Sequence, residues 1–264
     1  MIILTGGAGF IGTNMLVELN KMGEKDILIV DNINSSEKWK NLVGKKFTEY
    51  IHKDKLWHWL ELNRDIQVNF VIHLGACTNT METDFDYLYS NNVTFSQKIW
   101  QFCSDKGIPL IYASSAATYG DGSLGFSDDE SIIAKLKPIN QYGFSKHLFD
   151  LWALKQKKTP IRWYGLKYFN VYGPWEAHKG MMASTAYQKI HEVLDSGEIR
   201  LFKSHLNDYE DGEQSRDFIF VGDIVNIMKH FFLSRNSSSG IYNAGTGISR
   251  SFNDLANSIF SAIN

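Results

Sequence analysis

The segment Thr5-Gly-Gly-Ala-Gly-Phe-Ile-Gly12 follows a short apolar run, Ile2–Leu4, and opens a stretch of helical period. Four glycines in eight residues, placed at a strand-to-helix turn, leave few folds open. A tight turn, close approach of backbone to a pyrophosphate, and close packing of helix on strand each need a glycine, and the helix N-terminus behind the turn offers amides to an anion. Gly6, Gly9 and Gly12 are the expected dinucleotide positions. A glycine pattern alone is weak, but here Asp31 stands nineteen residues after Gly12, at the end of a second apolar run, where a carboxylate suits a ribose hydroxyl.

The rest of the chain agrees with that start. Ile2–Thr5, Asp26–Asp31, Phe70–Leu74, Pro109–Ser114 and Ile161–Tyr168 read as buried strands. Phe10–Met22, Lys55–Asn63, Thr83–Lys106 and Asn140–Lys155 between them carry apolar residues at helical spacing. Alternation of this kind predicts an α/β fold: a Rossmann-type doubly wound parallel sheet, with a ligand crevice at the carboxyl ends of the strands. After Phe169 the pattern changes to a loop as far as Gly180, a helix at Met182–Asp195, a strand at Arg200–Phe202 and a polar stretch at Ser204–Ser215. Strands at Arg216–Val221 and Ile241–Asn243 then flank a helix at Asp223–Leu233. The expected division is a cofactor-binding domain at 1–169 with about 216–245 returning to it, and a smaller C-terminal substrate domain at about 170–215 and 246–264. The acidic run Asp208-Tyr-Glu-Asp-Gly-Glu213 reads as a solvated loop.

Composition excludes several classes. With 27 Lys+Arg against 29 Asp+Glu the net charge is −2, so no nucleic-acid footprint is expected. No apolar run approaches the ~18 residues of a membrane span, and the chain start lacks the basic n-region of a signal peptide. Cys77 and Cys103 are too few for a disulfide framework, and no His/Cys cluster has zinc spacing, so no metal and a reduced, cytoplasmic compartment are expected.

Tyr142 and Lys146 stand at i and i+4 and share one helix face. A phenol with an ordinary pKa of ~10 is a poor base at neutral pH, but a neighbouring ammonium and an oxidised nicotinamide both favour its phenolate. Ser115, at a strand end, is placed to bond the same substrate oxygen, with Ser114 as the competing serine. Together they suggest hydride chemistry at a carbinol. The backbone of Leu74, Gly75, Ala76, Cys77 and Thr78, just after a strand, is expected to line the cofactor cleft. Asp31 favours NAD, whereas Lys38 and Lys53 suit a 2′-phosphate, and the residues alone leave that choice open.

Four motifs, Thr5–Gly12, Ala113-Ser-Ser-Ala-Ala-Thr-Tyr-Gly120, Tyr142-Gly-Phe-Ser-Lys146 and Tyr168-Phe-Asn-Val-Tyr-Gly-Pro174, resemble the extended short-chain dehydrogenase/reductase family of nucleotide-sugar enzymes, the NAD-dependent epimerases and dehydratases. Glu176-Ala-His-Lys-Gly180 and Arg216-Asp-Phe-Ile-Phe-Val-Gly-Asp223 narrow the likeness to the branch acting on an ADP-linked heptose for the lipopolysaccharide core. The resemblance implies one tightly bound NADP per subunit, oxidation of the sugar at C6, and return of hydride to the other face. It assigns proton transfer to Tyr142 and Lys179, with Lys146 holding the nicotinamide ribose. It places Phe10, Ile11, Asp31, Asn32, Lys38, Lys53, Asn91 and Val171 on the cofactor, and Ser115, Asn170, Phe202 and Arg216 on the substrate. It also implies a homopentamer. Departures from the family pattern are Met181 for a serine, Gln188 for a histidine, Leu74 for an acidic residue and Trp175 for an arginine. Family members continue beyond the helix expected at 251–264, so the substrate pocket is expected to lack a wall. Two other readings remain: another nucleotide-sugar enzyme such as a 4-epimerase, and a catalytically idle cofactor-binding homologue. A dehydratase is disfavoured, because Ala116 and Ala117 rather than an acid follow Ser115.

Overall fold

The computed structural model describes residues 1–204 and 210–263. Its first half runs β1 (Ile2–Thr5), α1 (Phe10–Lys21), β2 (Ile27–Asp31), β3 (Glu49–His52), α2 (Leu56–Leu62), β4 (Phe70–His73), α3 (Phe85–Leu88), α4 (Phe95–Lys106) and β5 (Leu110–Ser115). Then follow α5 (Glu130–Ile133), α6 (Gln141–Leu154), β6 (Trp163–Tyr168), β7 (Asn170–Tyr172), α7 (Thr185–Ser196), β8 (Ser215–Arg216), β9 (Phe218–Phe220), α8 (Val221–Leu233), β10 (Gly240–Ala244), β11 (Arg250–Ser251) and α9 (Phe252–Ile263). Seven strands form one sheet in the order β10-β6-β5-β4-β1-β2-β3. Every neighbour in it is parallel, which brings Thr5, Asp31, His52, His73, Ser115 and Tyr168 to one edge. This is the Rossmann-type doubly wound sheet of the sequence reading, and the strand order reverses between β1 and β4, beside the glycine turn.

Alternate side chains supply the two faces. Ile2, Leu4, Ile27 and Ile29 pack with Met15, Leu16 and Leu19 of α1 and Ile224 and Met228 of α8. Ile3, Leu28, Val30 and Val71 pack with Trp100 and Cys103 of α4 and Phe149 of α6. Strands buried on both sides need unbroken apolar runs, which is why β1, β2 and β4 were legible in the sequence.

Other elements differ from expectation. β3 has one buried residue, Ile51, because it forms the sheet edge, so it carries almost no apolar signal. The helix expected at Thr83–Lys106 contains a π-turn at Tyr89–Thr94 between α3 and α4. No strand forms at Arg200–Phe202, where Phe202 is 66% exposed. The run Arg216–Val221 divides at Asp217: β8 pairs antiparallel with β11, and β9 pairs parallel with β7. The helix expected from Met182 begins at Thr185, where the Ser184 hydroxyl caps it by accepting from Tyr187 N–H. Asp208 and Tyr209 of the acidic run, and Asn264, lie outside the described residues. Among the described residues no helix is long and apolar enough to cross a membrane, and no group of three His, Cys, Asp or Glu is arranged to hold a metal ion.

Candidate active site

The glycine turn is built to admit a ligand. Gly6 has φ +68°, and a Cβ there would lie 2.7 Å from Gly75 N; a Cβ on Gly12 would lie 2.1 Å from the Gly6 carbonyl oxygen. The turn therefore closes β1 onto both α1 and the Gly75 loop only with glycine at these places. Gly9 caps α1 with no side chain, and no acidic residue occupies its first turn, so the amide end stays free for an anion. Asp31 Oδ2 accepts from Ala8 N–H at 2.9 Å, while Oδ1 accepts from Asn32 N–H and from Lys38 Nζ, each at 2.7 Å. Asn32 Oδ1 is buried with no partner. An orphaned buried acceptor costs about 1–3 kcal/mol, so a donor on a ligand, such as an adenine amino group or a ribose hydroxyl, suits this spot. The amide end of α1, the carboxylate and the orphaned carbonyl fit the phosphate and adenosine parts of a nicotinamide dinucleotide. Lys53 follows β3, but its ammonium pairs with Asp54 at 2.8 Å, and no described contact joins it to Asp31.

At the other side of the switch point, the Asn140 side chain caps α6 by accepting from Gly143 N–H at 2.7 Å. This presents Tyr142 and Lys146 on one face. Tyr142 is half-buried; burial pushes its phenol up, and a hydrogen bond with Ser115 pulls it back. Lys146 is 6% exposed and donates from Nζ to the Ala113 carbonyl at 3.0 Å. Burial brings its pKa down to about 8, with Asp150 opposing. Ser114 Oγ donates to Asp150 at 2.6 Å on the core side, whereas Ser115 is the serine beside the Tyr142 phenol. Cys77 is half-buried, and burial pushes its thiol up, away from a reactive role.

A buried hydrogen-bond chain joins these two halves. Ser96 Oγ donates to the Asn92 carbonyl at 2.7 Å, so it accepts from His73 Nε2 at 2.9 Å. His73 Nδ1 is then bare and accepts from Thr5 Oγ1 at 2.6 Å, which itself accepts from Gly75 N–H at 3.0 Å. Asn92 Oδ1 accepts from Cys77 N–H, and its Nδ2 donates to the Cys77 carbonyl and to Ser145 Oγ; Ser145 donates in turn to the Tyr142 carbonyl. Asn91, the neighbour expected at the cofactor, has its amide on the Tyr87 carbonyl at 2.8 Å. Asn92, its neighbour in the π-turn, is buried and ties the Cys77 backbone to Ser145 of α6.

Burial, assisted by the Lys146 charge, drives the His73 pKa down to about 3. Below pH ~6.5 the unfolded chain takes up a proton at this residue that the folded chain refuses, so stability falls by about 1.4 kcal/mol per pH unit, down to the folded pKa. Denaturant titrations at pH 7, 6 and 5 (roughly the upper part of that window) should show His73→Gln with a pH slope shallower by about one proton. An unchanged slope would mean that His73 is already charged in the folded protein.

The loop between β7 and α7 carries Lys179. Its ammonium lies 5.6 Å from the Phe10 ring centroid, over the start of α1. Burial lowers its pKa, with the Glu176 charge opposing. Glu176 is 1% exposed and clasps the loop, its Oε1 accepting from Gly173 N–H and Ser184 Oγ and its Oε2 from Ser184 N–H. Gln188 Nε2 donates to the Met181 and Ala183 carbonyls, so this departure from the family pattern serves the same loop. Val171 lies on β7, packed against the core. Asn170 N–H donates to the Asp217 carbonyl. Arg216 and Phe202 share one neighbour: the guanidinium is 6.0 Å, and the Phe202 ring 5.9 Å, from the Phe252 ring centroid. The structure thus gathers Tyr142, Lys146 and Ser115 in one group, Asp31, Asn32 and Lys38 in a second, and Phe202 with Arg216 in a third. Sequence reasoning passed over the structural roles of Asn41, Asn92 and Asp217, which lie in bonds to distant backbone, and of Glu176, which closes its own loop.

Sheet, glycine turn and the Ser-Tyr-Lys group define a Rossmann-fold protein of the nicotinamide-dependent class. The model of the NAD dependent epimerase/dehydratase family matches residues 2–245, and the chain belongs to that family. It is 50% identical over 259 residues, 97% of its length, to the ADP-L-glycero-D-manno-heptose-6-epimerase of Fusobacterium nucleatum, of which it covers 78%. The enzyme of the same name from Nitratidesulfovibrio vulgaris is 47% identical over the whole chain, which covers 81% of it. The crystal structure of the Helicobacter pylori ADP-L-glycero-D-manno-heptose-6-epimerase superposes with a TM-score of 0.85 at 28% identity, over 100% of this chain and 81% of that one.

Proposed function

We propose that this protein inverts C6 of ADP-D-glycero-β-D-manno-heptose, giving the L-glycero epimer through a transient 6-keto sugar, with NADP as the resident cofactor. The observation that carries the reading is Lys179: a second amine, apart from the Tyr142–Lys146 pair, stands over Phe10 beside the dinucleotide turn. Inversion needs a proton acceptor on each face of the carbon, and a simple dehydrogenase needs one. The names of the relatives at 50% and 47% identity support the substrate.

A nicotinamide dinucleotide held at the glycine turn would supply the hydride acceptor and donor for the sugar carbon. Tyr142 Oη moves the hydroxyl proton on one face, Ser115 Oγ steadies the same oxygen, and the Lys146 ammonium favours the phenolate by charge. Lys179 Nζ moves the proton on the other face; its burial makes the neutral amine accessible nearer neutral pH than for a solvated lysine. Asn170, Phe202 and Arg216 meet the nucleotide sugar, with the guanidinium suited to a diphosphate. Gly6, Gly9, Phe10, Ile11, Gly12, Asp31, Asn32, Lys38, Lys53, the 74–78 backbone, Asn91 and Val171 hold the cofactor. The proposal includes the division into a cofactor part, 1–169 with about 216–245, and a substrate part. It also includes a cytoplasmic homopentamer, tested by sedimentation of the purified protein.

Incubation of purified protein with ADP-D-glycero-D-manno-heptose, without added nicotinamide, should yield both C6 epimers with no net change in the cofactor. Lys179→Met should abolish the exchange, and full epimerisation by that variant would sink the two-base assignment. NADP is favoured over NAD because Lys38 stands 2.7 Å from Asp31, offsetting the carboxylate that would repel a 2′-phosphate. Lys38→Ala should therefore weaken NADP by about tenfold relative to NAD, measured by titration calorimetry on cofactor-stripped protein.

A further inference from the structure

We infer that Asn41 is a positioning residue for the second base: it fixes the Lys179 loop, residues 173–184, to the dinucleotide turn. The inference rests on the two-base reading above. Asn41 is 7% exposed, and its Nδ2 lies 3.0 Å from the Ala8 carbonyl, 3.3 Å from the Trp175 carbonyl and 3.1 Å from His178 Nδ1. Ala8 belongs to the glycine turn, whereas Trp175 and His178 belong to the loop. Two carbonyls facing one end of the amide require that end to be the nitrogen, because an oxygen there would be repelled by both. His178 Nδ1 packs against the same amide, and burial with the Lys38 and Lys179 charges pushes its pKa down, opposed by Asp31 and by a hydrogen bond to the Trp175 carbonyl.

The loop needs such an anchor. Trp175 sits at φ +73°, a left-handed conformation that costs a non-glycine residue about 1–3 kcal/mol, and it is the carbonyl of this residue that Asn41 takes. Glu176 closes the loop on itself at Gly173 and Ser184, but fixes only its internal shape. Its placement over α1 comes from Asn41, with help from Asn14, whose Nδ2 donates to the Pro174 carbonyl at 2.9 Å. Four residues on from Trp175, Lys179 reaches the Phe10 ring. Asn41 also lies three residues after Lys38 on one short 3-10 helix, Glu37–Leu42, where i and i+3 share a face. The element that neutralises Asp31 at the adenosine end of the cofactor site thus also sets where the second base stands.

A residue that only stabilised the fold would lower both directions of the reaction together. A residue that places Lys179 affects the oxidation half-reaction of one epimer, because each epimer gives its C6 hydroxyl proton to a different base while its C6 hydrogen leaves as hydride. The test uses the full chain loaded with NADP and follows reduction of the bound nicotinamide in single turnovers, starting separately from each ADP-heptose epimer. Asn41→Leu should slow one epimer about tenfold or more relative to the other, as a misplaced catalytic group does, and Lys179→Met should slow the same epimer. Asn14→Ala, a milder change at the same anchor, should show the asymmetry to a lesser degree and serves if Asn41→Leu does not fold. Equal slowing of both epimers by the anchor variants, or none, while Lys179→Met remains asymmetric, would overturn the inference alone. Symmetric behaviour of Lys179→Met would overturn the two-base reading and the inference with it.

Discussion

Tyr142→Phe should lower turnover of ADP-D-glycero-D-manno-heptose by about 10²–10⁴-fold while leaving the melting temperature and the cofactor content almost unchanged. The substitution removes one atom. The ring keeps its place on α6, whose start is fixed by the Asn140 cap and by the Ser145 bond to the Tyr142 carbonyl, neither of which involves the phenol. Ser115 loses a partner but keeps the bond it accepts from Ala117 N–H at 3.1 Å, so no buried polar group is orphaned. What disappears is the phenolic hydroxyl that bonds Ser115. A lysine cannot replace it, since Lys146 Nζ already donates to the Ala113 carbonyl, which holds it at the strand end. Activity within a few-fold of wild type, measured by product analysis, would remove Tyr142 from the proton-transfer role. A melting temperature that fell with the activity would mean that the phenol is structural.

The sheet and the shared face of Tyr142 and Lys146 were legible because their signals are local. Ile2–Leu4 and Phe70–Ile72 are buried on both faces and so are continuously apolar, and Tyr142 and Lys146 share a helix face through their spacing alone. The edge strand Glu49–His52 was illegible for the opposite reason: edge position allows polar residues, and only Ile51 reaches the core. Asp217 illustrates a second kind of loss. It reads as the interior of a strand, yet its carboxylate accepts from Thr246 N–H, Thr246 Oγ1 and Gly247 N–H, tying down a loop 29 residues away at its nearest point. Nothing within a window of ten residues or so marks such a role. Asn91 and Asn92 make the same point at one-residue resolution. A regular helix gives no basis for choosing between adjacent asparagines, and the π-turn, which decides that Asn92 faces Cys77 and Ser145, depends on packing rather than on pattern.

Lys167→Met should destabilise the protein by about 3–5 kcal/mol, and the double variant Lys167→Met/Asp150→Leu should recover much of that loss. Lys167 of β6 and Asp150 of α6 are both 0% exposed and meet at 2.7 Å. The carboxylate is fully engaged, accepting also from Ser114 Oγ and from the Tyr112 hydroxyl, and Lys167 Nζ donates to Thr118 Oγ1 at 2.7 Å. Methionine preserves the unbranched length of lysine, so little cavity opens and the cost comes from charge. With the ammonium gone, the Asp150 carboxylate is left in the core without its paired cation, which is expensive. Removing the carboxylate as well replaces an unpaired ion with apolar volume, so the two changes should be far from additive. The pair also lies within one helical turn of Lys146, whose charge Asp150 supports. In the double variant the Lys146 pKa should therefore fall further below about 8, and the alkaline limb of the turnover profile should move to lower pH. Denaturant midpoints for the single and double variants decide the matter. If the double variant were as unstable as the sum of its parts, the cost would lie in packing around α6 and β6 rather than in a charge left alone in the core.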